Sequence, residues 1–201
     1  MSRAIRRKIR GFLQVYLGIQ EARFPMTQCA VAGRVVCFVV FCAMFAMSVH
    51  GQPRFKNWDT LKNQRHGFSI GYPNDVFEQK LPPTTDEGGI FFSKDGKAKL
   101  LVGAFANEGG NSLTDYREFL LTEHYAGAII DYAPLRKRWF VLSGIRNDEM
   151  FYERVSFTCG GKLINSWAML YPVAERKMYD RVVEAVARKY TPGEGQTGTC
   201  D

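Results

Sequence analysis

Two segments of this 201-residue chain are apolar on both rows of side chains that a β-strand presents. Over 138–145, Trp139, Val141 and Ile145 share one row, and Phe140 and Leu142 share the other. Over 162–171, Leu163, Trp167 and Met169 stand against Ile164, Ala168 and Leu170. Successive side chains of a strand point to opposite faces, so strands of this kind are stable only in a sheet covered on both sides. Asn147-Asp148 separates the first segment from a strand over 149–157, and Cys159-Gly160-Gly161 separates that strand from the second. Turns this tight join antiparallel neighbours. Further strands are expected at 67–73, where Phe68, Ile70 and Tyr72 alternate, at 90–93 and 97–105 around an Asp95-Gly96 hairpin, and at 128–133. Residues 74–89 are turn-rich.

The cover comes from two helices. Ser112 and Asp115 form a capping box ahead of Leu113, Tyr116 and Leu120, which predicts a helix over 113–125. Pro172 opens a second, over about 173–190, with Met178, Val182, Val183, Val186 and Tyr190 on its apolar stripe. Three strands, a helix, four strands and a helix make an α+β domain. Its expected form is an antiparallel sheet of about six or seven strands with helices on both faces, an α/β/α sandwich.

The net charge of +7 is unevenly placed. Residues 1–34 carry seven basic residues and one acid, residues 35–51 carry none, and residues 52–201 carry 20 basic and 19 acidic. A phosphate-binding surface needs many clustered cations, so the nearly neutral folded part is not read as a nucleic-acid binder. Residues 1–51 form a basic leader. Its apolar run, Val35 to Met47, extends to 15 residues with Ser48 and Val49. That suits a signal peptide, whereas a spanning helix needs about 20. Cleavage near Ser48 or Gly51 would start the mature chain at Val49 or Gln52, and Met26 offers a true start that gives a normal-sized signal. An uncleaved anchor is the main rival and an organelle transit peptide the third reading. In the first two, residues 52–201 lie outside the cytoplasm, periplasmic or extracellular, with membrane contact only through the N-terminal segment. Residues 52–66 read as a linker, 67–191 as one globular domain and 192–201 as a polar tail.

The sequence carries little that points to chemistry. His50, His66 and His124 lack metal-ligand spacing, and no cofactor motif occurs. Cys159 with His124 or His66 matches no catalytic signature. Of five cysteines, only Cys159 and Cys200 lie beyond the leader, and an even count in an oxidising compartment favours their pairing. The lengths of strand 162–171 and the returning helix bring the tail back beside Cys159. Two features remain. Arg136, Lys137 and Arg138 form a solvated turn or an anion and partner surface. Glu153 shares a row with Phe151, Val155 and Phe157, so it must be paired or floor a pocket, with Asn165 and Arg146 as candidate partners. Trp167 and Tyr171 are read as core.

The strand Gly67-Phe68-Ser69-Ile70-Gly71-Tyr72-Pro73 resembles the opening of PsbP-like domains. So does the ending, with Arg154, the glycine turn at 160–161, the aromatic strand 162–171 and a helix bearing Tyr179 and Val182-Val183. The resemblance covers about 66–190 and implies a non-enzymatic binding or scaffolding domain, with no catalytic residue to carry over. The turn-rich 74–89 and the cysteine pair are not part of that pattern. The leading expectation is therefore an exported, non-catalytic domain binding a protein or envelope component. The alternatives are a small-ligand or lipid carrier with an apolar pocket, and a hydrolase with unrecognised residues.

Overall fold

The structure, a computed structural model, describes residues 55–81, 87–196 and 200. Among them are ten strands and two helices. A seven-stranded antiparallel sheet runs in the order β3 (Phe77–Leu81), β4 (Gly88–Ser93), β5 (Lys99–Ala106), β9 (Leu163–Pro172), β8 (Glu149–Thr158), β7 (Trp139–Arg146), β6 (Ile129–Tyr132). A three-stranded sheet has the order β1 (Trp58–Lys62), β2 (Ser69–Pro73), β10 (Tyr190–Thr191).

Both faces of the large sheet are covered. Helix α1, Leu113–Phe119 and then a π-helical turn Leu120–His124, lies on the face that carries Phe140, Phe151 and Phe157. Ser112 and Asp115 close its capping box reciprocally. Helix α2, Arg176–Ala187, and the small sheet cover the other face around Trp167, Met169 and Tyr171. Tyr179, Val182, Val183 and Val186 of α2 point into that core. The β7–β8 turn holds Asn147 at φ 52° and Asp148 at φ 61°, the left-handed pair that a two-residue hairpin needs.

The boundaries differ from the sequence reading in three places. The linker expected over 52–66 contains β1, in antiparallel register with β2. Its half-buried residues are Trp58 and Leu61, three apart, so no alternation announces the strand. Edge strand β3 lies inside the turn-rich stretch, where Phe77 is its buried anchor. The C-terminal helix stops at Ala187, and Tyr190 pairs with Ile70 of β2. Gly71 allows this crossing: a Cβ there would sit 2.9 Å from that of Lys189.

Beyond residue 191 the chain is held at Gly193 and at Cys200. Gly193 is buried, donates its N–H to Asn165 Oδ1 at 2.7 Å and accepts from Thr158 Oγ1 at 2.6 Å. A side chain at Gly193 would meet His66 O at 2.0 Å. Further on, Cys200 is disulfide-bonded to Cys159, with Cα atoms 5.0 Å apart. Closing a loop of this length is worth about 4 kcal/mol in the chain-entropy model. A Cys159→Ser/Cys200→Ser variant is expected to lose up to about 4 kcal/mol in denaturant unfolding. Alkylation of both Cys159 and Cys200 in unreduced protein would contradict the bridge.

Candidate partner-binding site

One end of the large sheet gathers three connections. The β6–β7 hairpin ends there in Arg136, Lys137 and Arg138, all exposed. Their backbone is tied down: Arg136 N–H donates to Trp139 O at 2.8 Å, and Phe157 N–H donates to Arg138 O at 2.8 Å. Beside them the β8–β9 turn, Cys159–Gly161, leads into exposed Lys162. The 107–111 loop closes the third side. Its Asn107 donates through Nδ2 to Gly161 O at 2.8 Å and to Asn111 O at 2.9 Å. Between these walls lies an open groove of about 490 Å³. Lys137, Arg138 and Lys162 line it, and among the described residues no carboxylate does. Among the described residues none of these three cations is held in an ion pair.

Glu153 belongs to a different arrangement. It is buried on the α1 face, where its Oε2 accepts from Tyr125 Oη at 2.7 Å and its Oε1 from Ser166 Oγ at 2.7 Å. Tyr125 arrives from the end of α1 and stacks on Phe151 with centroids 4.1 Å apart. Burial raises the Glu153 carboxyl above its ordinary range, and the two hydroxyl donors act against that rise. Neither expected partner reaches it. Asn165 pairs in register with Ser156, so it lies on the opposite face and holds Gly193. Arg146 is on the Glu153 face but donates through Nη1 to His124 O at 2.5 Å and lies 5.9 Å from the Tyr125 ring. It steadies the residue that holds Glu153.

No protein-family model matches the chain, and no curated protein matches it. Solved structures do. The solution structure of cyanobacterial PsbP (CyanoP) from Synechocystis sp. PCC 6803 superposes with a TM-score of 0.50 at 13% identity, over 67% of this chain and 92% of that one. The fold is PsbP-like. The Ran-binding protein Mog1p of Saccharomyces cerevisiae follows with a TM-score of 0.47 at 10% identity, over 68% of this chain and 95% of that one.

In this PsbP-like domain the sequence-predicted residues separate by face and by end. Lys137 and Arg138 enter the groove, while Arg136 turns to the α2 face, 5.9 Å from the Trp139 ring. Cys159 borders the groove as half of a disulfide, so it offers no thiol nucleophile. His50 lies outside the described residues. Among those described, no three His, Cys, Asp or Glu side chains come close enough to hold a metal ion. Sequence reasoning missed Lys162 and Asn107. Lys162 was findable, since antiparallel strands of similar length bring the 136–138 and 159–162 turns to one end of the sheet. Asn107 gave no signal beyond standing in a loop.

His124 packs on Tyr125 with centroids 4.5 Å apart, and burial, with Arg146 nearby, lowers its pKa to about 4. The unfolded histidine protonates near its ordinary value, so His124 removes stability as pH falls from about 6.5 toward 4. Glu153 acts in the opposite sense. Its raised carboxyl binds a proton more tightly folded than unfolded, so it removes stability as pH rises above the ordinary carboxyl range. Glu153→Gln is therefore expected to gain stability relative to the parent between pH 4 and pH 8, measured as the difference in urea midpoints. A difference that stays constant across that range would show that Glu153 is not held at a raised pKa.

Proposed function

We propose that this chain is an exported, non-catalytic binding module whose hairpin end docks an acidic segment of a protein partner. The observation that carries this reading is the groove itself, with three cations on its walls and no carboxylate among the described residues that line it. The part of the chain beyond residue 51 is nearly neutral, so this concentration of charge is local. Cations uncompensated on their own surface attract a complementary partner and speed its encounter, an effect that falls with salt. The backbone around them is hydrogen-bonded and the disulfide lies at the groove's edge, so little ordering is needed on binding. The carrier alternative has less support, because Glu153 is held by Tyr125 and Ser166 under aromatic cover. The leader supports export, and the exported chain should begin between Val49 and Arg54 on N-terminal sequencing from the native host.

The test uses a labelled peptide of ten glutamates and the exported chain at low salt. Lys137→Glu/Arg138→Glu/Lys162→Glu is expected to weaken binding at least tenfold. Lys56→Glu/Lys62→Glu/Lys177→Glu makes the same change in net charge at exposed sites outside the groove and should cost much less. Equal losses in the two variants would mean that the peptide senses overall charge and not this groove.

A further inference from the structure

A second set of polar groups lies on the α2 face, away from the groove. Arg154 of β8 stands directly across from Trp167 of β9, and Ser156 lies two residues along the same row, across from Trp139. Tyr190 of β10 comes down from the small sheet onto this patch, its ring 6.0 Å from that of Trp167. Trp167 is 0% exposed and Ser156 5%. Four atoms here are buried and have no hydrogen-bond partner among the described residues: Arg154 Nε, Ser156 Oγ, Trp167 Nε1 and Tyr190 Oη. Two side-chain acceptors of the neighbouring strands are engaged elsewhere. Asn165 Oδ1 takes the N–H of Gly193, and Glu153 points to the other face, where it takes Tyr125 and Ser166. Among the described residues no carboxylate pairs with Arg154.

The chemistry of this set is one-sided. A guanidinium and an indole N–H can only donate, and the two hydroxyls are free to donate as well. Donors buried without an acceptor are costly, and a charged one more so. The group that satisfies a cationic, donor-only cluster best is an anionic oxygen, because charge-assisted hydrogen bonds are the stronger kind. Two cation–ring contacts lie on the outer side of the patch. The Arg154 guanidinium lies 4.8 Å from the Trp139 ring, and exposed Arg136 lies 5.9 Å from the same ring. The half-buried indole of Trp139 thus links a surface cation to the inner one.

We infer that Arg154, Ser156, Trp167 and Tyr190 form a binding site for a single carboxylate group, entered past Arg136 and Trp139. The site lies on the other face of the sheet from the groove and does not depend on the reading given for it. A free small carboxylate and an acidic side chain of a bound protein share the required chemistry. The separate test of each is whether formate alone or only the ten-glutamate peptide occupies the site.

The experiment follows the indole N–H resonances while formate replaces chloride at constant ionic strength. Trp58 Nε1 donates to Phe55 O at 3.2 Å and serves as the internal control. The Trp167 N–H resonance is expected to move downfield and saturate, with Trp58 unchanged, in the formate titration or in the peptide titration. Arg154→Gln is expected to abolish the shift. Ser156→Ala and Tyr190→Phe, which each remove one hydroxyl and keep the packing, are expected to weaken it at least threefold, and they carry the test if Arg154→Gln does not fold. No saturable movement of Trp167 with either probe would overturn the site, since water alone would then suffice for these donors. A shift unchanged in the Ser156 and Tyr190 variants would overturn it equally.

Discussion

Strand β9 is buried on both faces, and the rest of the domain follows from that. Nine of its ten residues are buried, so each face must be covered by something else in the chain. Ile164, Ala168 and Leu170 face α1, and Trp167, Met169 and Tyr171 face α2 and the small sheet. Burial of an apolar side chain contributes about 1.5–3 kcal/mol, so no covering element could leave without a large cost. The polar residues of β9 extend the same logic. Ser166 satisfies itself on Glu153, and Asn165 on Gly193 and Thr158. One buried hydrogen bond thus helps place the carboxylate under α1, and another fixes the path of the C-terminal segment.

The hairpin end inherits its rigidity from this strand. Strands β8 and β9 pair over their whole length, so the Cys159–Gly161 turn has little freedom. The disulfide and the Thr158–Gly193 hydrogen bond then hold the tail against that turn. Asn107 holds the neighbouring loop to the same turn. Lys137, Arg138 and Lys162 have long, flexible side chains, yet they stand on backbone tied by hydrogen bonds. A surface of this kind suits recognition, because the ordering that binding requires is already present in the fold.

The strong features of the fold were legible in the sequence because they rest on local chemistry. Two-sided apolar strands, Asn147-Asp148, the Ser112 capping box and the cysteine count each declare themselves within a few residues. What escaped detection depends on contacts between distant parts. Strand β1 carries Trp58 and Leu61 out of alternation and exists because β2 offers an edge. Tyr190 would extend a helical stripe but pairs with Ile70, since Trp167 offers its ring a better place than solvent. The row of Glu153 is readable from parity, and a carboxylate in an apolar row demands a partner. Its partner Tyr125 comes from the end of α1, 28 residues away, which no spacing rule could select.

Docking at the groove requires that the hairpin end meet a partner where the protein works. A photocrosslinking residue placed at Lys162, with a second chain carrying it at exposed Lys177 on α2, gives the most direct measurement when both are expressed in the native host. A discrete covalent adduct containing an acidic protein segment is expected from position 162, and none from position 177. Adducts of equal yield from both positions, or from position 177 alone, would contradict docking at the hairpin end.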